Sequence, residues 1–279
     1  GSLRCDCRDQ LEAARSEREA TRDRLAAASL ARLNSLASDT FQSDARFALN
    51  VLPALTARPD QVKQLRQTIL NLAVRGRLVP QDPRDEPARE LLKRMAAEKA
   101  ALVIAGGIKK REEVSEILEQ DCPFPIPDTW AWSRLGSIGW TQTGTTPSKA
   151  KPASYGSLIP FIKPGDIYPT HVDYSNEGLT KQGVEESGRI ATPGSILMVC
   201  IGTIGKCGLI DRDCSFNQQI NSLSPYADID SRYLLSVCRS ELIQKTAWAA
   251  SACTTIAILN KRKWEQLALP IPPLPEQHR

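Results

Sequence analysis

The sequence predicts a mixed α/β protein, with long helices first and a β-rich domain after them. Three observations carry this. Residues 3–33 interleave Arg, Asp and Glu with Ala and Leu and contain neither proline nor glycine. At Cys122 the composition turns to prolines, glycines and short apolar runs. Ile196–Ile201 (ILMVCI) is an unbroken apolar run between Gly194 and Gly202, the pattern of a buried strand.

Taken in order, residues 3–33 read as one long helix. Cys7, Leu11, Ala14, Thr21, Leu25 and Ala28 share a face that Arg18 interrupts. Such a thin seam suits coiled-coil packing on another helix, and equally a solvated charged helix. Residues 34–58 read as helical pieces around Pro53. Asp60 opens a further helix with Val62, Leu65, Ile69, Leu72 and Ala73 apolar, and Gly76 ends it. The prolines of RLVPQDPRDEP forbid a regular helix. Asp85 or Glu86 then caps a helix with Pro87 in its first turn and Leu91, Leu92 and Met95 apolar, which ends near Gly106-Gly107. Lys109–Gln120 reads as a charged, mobile connector. Beyond Cys122, Trp130, Trp132 and Leu135 alternate with polar residues, and Ile159–Ile162 precedes a Lys-Pro-Gly-Asp turn. One helix is expected over Ser231–Ala249, and LALPIPPLPEQHR reads as an extended exit.

The central stretch is Gly202–Asn221, GTIGKCGLIDRDCSFNQQIN. It reads as a glycine turn carrying Lys206, a short strand, and an amide-rich loop. Asn and Gln can pair with adenine in a major groove; equally, loop amides often serve their own backbone. Net charge is a mild +4, which neither demands nucleic acid nor excludes it. Residues 123–279 hold 15 basic and 13 acidic side chains, a net of +2, yet three windows lack acids altogether. Thr129–Gly165 carries Arg134, Lys149, Lys151 and Lys163; Ser187–Ile210 carries Arg189 and Lys206; Leu242–Trp264 carries Lys245, Lys261, Arg262 and Lys263. Folded onto one face, these windows make a positive groove with hydroxyls and amides interspersed, as phosphate contact with base reading requires.

Other chemistries find little support. The 8 cysteines form no C-x-x-C pair and the 2 histidines lie far from them in sequence, which points to reduced structural thiols in a cytoplasmic protein. Gly202–Cys207 lacks the length and the Ser/Thr of a P-loop, and no G-x-S-x-G elbow or amino-methyltransferase motif occurs. No apolar run approaches the length of a membrane span.

Four ordered blocks resemble the specificity subunit of type I restriction–modification systems. They are VKQLRQTILNLAVRGRLVPQDPRDEPARELLKRM from Val62, PFPIPDTWAWSRLGSIGWTQTGTTPSKAKPASYGSLIPFIKPGDI from Pro123, GTIGKCGLIDRDCSFNQQIN, and TTIAILNKRKWEQLALPIPPLPEQHR. The resemblance implies a β-rich target recognition domain joined to long spacer helices. Residues 3–121 would be the helical, partner-binding spacer and connector, 122–275 the recognition domain, and 276–279 the start of a truncated second spacer helix. The chain would be the C-terminal half of a two-domain subunit or a half-length form. It would be non-catalytic and read one half of a bipartite site in double-stranded DNA. It would dock methyltransferase subunits and, through the complex, restriction subunits, and self-associate through its spacer helices. No cofactor is expected in this chain, since S-adenosylmethionine, ATP and Mg²⁺ would belong to the partners.

On that reading Thr143, Gly144, Thr145, Thr146, Lys149 and Lys151 form an exposed basic loop. Lys163, Lys181, Arg189 and Lys206 contact phosphates, and Asn217, Gln218, Gln219 and Asn221 are the candidate base readers. Thr254, Thr255, Asn260 and Lys261 form a further rim. The competing expectation is a helical adaptor that reads no DNA.

Overall fold

The computed structural model describes residues 2–35, 40–108, 114–226, 228–253 and 255–279, with the backbone alone for 2–8 and 253. The chain forms two compact units, Gly1–Ala73 and Val74–Arg279.

In the first unit, α1 spans Ser2–Asn34, a length of about 50 Å at the usual helical rise. Its packed seam is Ala26, Ser29, Leu30 and Leu33. Along the rest of α1 the solvated alternative holds: Leu11 is 66 % exposed, and Ala14 and Ala28 face solvent. The last turns of α1 are where α2 (Phe41–Asn50), α3 (Leu52–Leu55), α4 (Pro59–Val74) and the junction between α2 and α3 supply Ala48, Leu55, Phe41, Leu65 and Val51. The expected face of α4 holds at Leu65 and Leu72, which pack, but not at Ile69. Ile69 is 43 % exposed while Gln61, Thr68 and Asn71 are buried. Those polar groups bond to α1. Asn34 donates to Thr68 Oγ1 at 2.9 Å, Asn71 donates to Asn34 at 3.2 Å, and Gln61 donates to Asp23 at 3.1 Å. Arg32 pairs at 2.7 Å with the buried Asp44.

The second unit begins at the end of α4. Gly76 adopts φ +67°, and a Cβ there would also strike the Pro127 ring at 2.6 Å, so glycine is required twice over. An irregular segment leads to α5 (Ala88–Ile104), which Pro87 caps without a side-chain bond from Asp85 or Glu86. Gly106, at φ +71°, follows its end. Of the connector expected to be mobile, 109–113 lie outside the described residues. The segment after them is pinned: buried Arg134 donates to the carbonyls of Ser115 and Glu116 and pairs with Asp121 at 2.5 Å.

Strand β1 (Ala131–Arg134) pairs antiparallel with the last strand, so the β-rich part closes on itself before α10. The order between is β2 (Gly139–Thr143), β3 (Tyr155–Ile162), β4 (Gly178–Leu179), α6 (Lys181–Ser187), β5 (Ile196–Val199), β6 (Cys207–Leu209), β7 (Ser215–Phe216), β8 (Ile220–Pro225), α7 (Ser231–Arg239), α8 (Glu241–Ala250), β9 (Ala252–Cys253), β10 (Ala257–Ile258), α9 (Lys261–Glu265), β11 (Ala268–Ile271) and α10 (Leu274–Gln277). The sheets run β2-β8-β5-β6 and β4-β3-β7, with pairs β1-β11 and β10-β9. Every residue of β5 is buried, as its apolar run predicts. Leu197 and Val199 join Ile162, Ile167, Val172, Phe216 and Ile220 in the core.

The single helix expected over Ser231–Ala249 is two. Ser240 is extended (φ −66°, ψ 155°), and its hydroxyl donates back to Val237 O at 2.6 Å. A serine that bonds its own backbone competes with the helical ladder, which is how the break arises. Asp230 caps α7 by accepting from Arg232 N and Tyr233 N.

Candidate nucleic-acid interface

Register brings some of the predicted residues together. Thr143 on β2 pairs with Asn221 on β8, Asn221 with Met198 on β5, and Met198 with Cys207 on β6. These four form one row across the sheet, and every strand begins or ends at that row or one residue beyond it. Thr143–Thr146, Asn217–Ile220, Cys200–Gly202 and Lys206 therefore lie at one end of the sheet. Backbone bonds fasten them: Gly144 N donates to Ile220 O at 3.0 Å, Thr145 N to Phe216 O at 3.1 Å, and Cys200 N to Gln219 O at 2.7 Å. Gly202 and Gly205, at φ +83° and +90°, turn the chain from β5 into β6. The β9–β10 hairpin lies alongside: Ile201 bridges Ile258, and Gly202 N donates to Ala257 O at 2.9 Å.

The four amides divide by burial. Asn221 is 2 % exposed; it accepts from Thr143 Oγ1 at 2.8 Å and donates to Cys200 Sγ at 3.3 Å. Asn217 is also buried and closes its own turn, accepting from Gln219 N at 3.1 Å and donating to Gln219 Oε1 at 3.0 Å. Gln219 is thereby half-committed. Gln218 alone of the four is exposed, and it accepts from Thr146 Oγ1. The amide-rich segment is thus a tight turn, with Asn221 already inside β8.

The cations divide by partner. Lys151 pairs with Glu186 at 3.1 Å, Lys163 pairs with Glu177, and Lys261 pairs with Glu265 at 3.0 Å while also reaching Thr141 at 3.3 Å. Bonds from Gln182, Lys151 and Ser154 hold the Glu186 carboxyl below its usual range, so it is charged at neutral pH. Lys206 donates to Pro164 O and Arg189 to Thr143 O, both carbonyls that leave the positive charge uncancelled. Lys149 and Lys181 are exposed, without a carboxylate partner among the described residues. Lys181 opens α6 beside the Lys149–Lys151 loop, where Thr180 donates to Ala153 O at 2.7 Å.

Thr145 is turned inward, donating to Ser187 O at 2.5 Å. Thr255 is exposed on the β9–β10 hairpin, Thr254 lies outside the described residues, and Asn260 caps α9 by accepting from Lys263 N at 2.9 Å. Lys261 reaches the sheet two residues up β2 from the end row and is not part of this end.

Sequence reading passed over the hairpin tip Tyr168-Pro169-Thr170-His171. Tyr168 and His171 stack with centroids 4.9 Å apart and planes 9° apart, and Lys206 Nζ lies 6.0 Å from the Tyr168 centroid. The available signal was an aromatic and a proline between two aspartates, Asp166 and Asp173.

Burial pushes the thiols of Cys200, Cys207 and Cys214 up to about 12, 11 and 12. Near neutral pH they are protonated and packed, and they supply no nucleophile.

A β-rich domain that gathers hydroxyls, an exposed amide and uncancelled cations at one sheet end belongs with proteins built for recognition. Residues 127–279, more than half of the chain, match the model of the type I restriction modification DNA specificity domain, and the chain belongs to that family. It is 61 % identical over 77 residues to the type I restriction enzyme EcoAI specificity subunit of Escherichia coli, covering 28 % of this chain and 13 % of that protein. It is 25 % identical over 279 residues to the HindI specificity subunit of Haemophilus influenzae, covering 84 % of this chain and 61 % of that protein. Among solved structures, the HsdS subunit from Thermoanaerobacter tengcongensis aligns with a TM-score of 0.44 at 20 % identity, over 78 % of this chain and 48 % of that one. The chain therefore spans less than two thirds of the length of these relatives.

Proposed function

We propose that this chain is a non-catalytic, cytoplasmic DNA-reading specificity subunit. In it the β-rich segment 122–275 reads one half of a bipartite site, and the helices before Cys122 dock methyltransferase subunits and, through them, restriction subunits. The observation that carries the reading is the convergence of Thr143–Thr146, Asn217–Asn221 and Lys206 at one end of the sheet. Two chain stretches some 60 residues or more apart, Thr143–Thr146 and Lys206–Asn221, supply hydroxyls, an exposed amide and positive charge at one place. Phosphate contacts would come from Lys149, Lys181, Arg189 and Lys206, and base reading from Gln218 with Thr146. Asn217 and Asn221 would hold the surface in shape.

Side-by-side binding measurements test this, with duplexes carrying and lacking the preferred sequence and the chain assembled with methyltransferase subunits. Lys149→Ala is expected to weaken binding evenly across sequences and to flatten the log–log salt dependence by about 0.9. Lys151→Ala and Lys163→Ala should change it less, because Glu186 and Glu177 already offset those charges. Gln218→Ala should relax preference at one position, worth about 1–3 kcal/mol of discrimination. Asn221→Ala should instead lower the melting temperature. Footprinting that shows no sequence-dependent protection by the unaltered assembly would leave the adaptor reading standing and this one refuted.

A further inference from the structure

The tip Tyr168–His171 is an aromatic surface held out on a rigid base. Its two roots are core residues: Ile167 and Val172 bridge each other antiparallel and are 0 % and 6 % exposed. They settle against β6 at Gly208, where a Cβ would meet Val172 Cγ2 at 2.7 Å and Ile167 Cγ2 at 3.2 Å. Two backbone bonds close the hairpin, Tyr168 N to His171 O and Asp173 N to Asp166 O, both 2.8 Å. Asp166 is buried and spends its carboxylate within the hairpin, accepting from Lys163 N at 2.7 Å and from Asn176 Nδ2 at 2.8 Å. Every residue from Tyr168 to His171 is nevertheless exposed.

An exposed tyrosine usually gains by packing on the core. Here the ring packs on another exposed ring, His171, which Thr170 Oγ1 meets at 3.1 Å through Nδ1. Beside it stands Lys206, which has no carboxylate partner among the described residues and directly precedes Cys207 of the end row of the sheet. An aromatic ring with a cation alongside matches a nucleobase with its phosphate. Bases stack on aromatic faces whatever their sequence, and proteins that kink duplexes insert apolar or proline wedges between base steps. A protein partner would be served by a wider apolar patch, whereas this tip offers only Tyr168 and Pro169 among polar neighbours.

We propose that Tyr168, backed by His171 and flanked by Lys206, is a stacking contact for a base at a step opened in the bound duplex. It would add affinity for the recognised half-site without reading it by hydrogen bonds. This rests on the proposed DNA-reading function, and its test separates the two.

The chain, assembled with methyltransferase subunits, is first used to recover preferred duplexes from a randomised pool. Those duplexes, with 2-aminopurine placed in turn through the half-site, are then bound by unaltered protein and by Tyr168→Ala, Tyr168→Phe and His171→Ala. The unaltered protein and Tyr168→Phe should perturb the probe's fluorescence at one step. Tyr168→Ala should abolish that signal and weaken binding roughly tenfold, with the salt slope unchanged because no charge is removed. His171→Ala should fall between. The side chain is exposed, so an unchanged melting temperature is expected to accompany these effects. If Tyr168→Ala keeps both the affinity and the signal while the unaltered protein selects a sequence, the stacking role is wrong and the reading function stands. If it keeps DNA binding but loses methyltransferase subunits, the tip is a protein contact and the proposal is overturned. If the unaltered assembly selects no sequence, the reading function fails and the stacking role with it.

Discussion

Exchanging Val74–Arg279 for the matching segment of another family member is expected to change one half of the recognised DNA site completely. The other half and the spacing between them should stay as they were. The boundary follows from how this unit is tied. Trp130 Nε1 donates to Glu276 at 2.8 Å and to Gln81 at 3.2 Å, and Gln81 Nε2 donates to the same Glu276 carboxylate at 2.6 Å. Arg279 pairs with Asp85. Entry and exit of the unit are thus clasped through a carboxylate that is only 7 % exposed. A narrower exchange of Pro123–Pro270 cuts between Trp130 and both of its partners. Where the incoming segment lacks the tryptophan, the buried Glu276 loses one of its donors, a defect costing about 2 kcal/mol. The narrow chimaera should then express poorly while the wide one reads its new half-site. Inserting residues within Gln61–Leu72 of α4 should do the converse, altering spacing by about 1.5 Å per residue and leaving both half-sites unchanged. Methylome mapping in cells carrying each chimaera decides the matter. A wide exchange that shifts both half-sites, or the spacing, would contradict it.

Gly144→Ala is expected to be the most damaging single substitution at the sheet end. A Cβ at this position would overlap the carbonyl oxygens of Phe216 and Asn217. Neither is the flexible end of a side chain, so backbone must move. What moves is the junction where Gly144 N and Thr145 N hold the Asn217–Ile220 turn. The cost should reach the upper end of the usual overpacking range, about 3 kcal/mol, read as a fall in melting temperature. Sequence preference should be lost even at temperatures where the protein remains folded, because Thr146 and Gln218 would no longer meet. Retained preference at full affinity would show that the junction does not shape the reading surface.

Much of the fold was legible because its signals are local. Proline, glycine and periodicity act on neighbouring residues. The long α1, the stop at Gly76, the irregular segment before α5, the buried β5 and the turn after it follow from short windows of sequence. The family, too, is carried by ordered blocks that need no coordinates to be seen. Helix faces were less legible. A charged helix such as α1 has several thin apolar stripes of equal merit, and the one that packs is set by where α2 and α3 lie. In α4 the packed face mixes apolar and polar residues, since Thr68 and Asn71 find Asn34 some 34 and 37 positions away. The break at Ser240 turns on whether one hydroxyl bonds back to Val237.

At the site, sequence supplied the segments, and register across the sheet sorted their side chains. Asn217, Gln218, Gln219 and Asn221 look alike as a string of amides. Gln218 faces solvent because it sits at the turn's outer corner, and Asn221 is buried because it has entered β8 opposite Thr143, 78 residues earlier. Lys151 and Lys163 stand in acid-free windows, yet Glu186 and Glu177 reach them from outside those windows. Charge counted along a chain is blind to such pairs, because a salt bridge depends on distance in space. The same distance dependence sets Lys206 beside Tyr168, at a hairpin tip with no motif of its own.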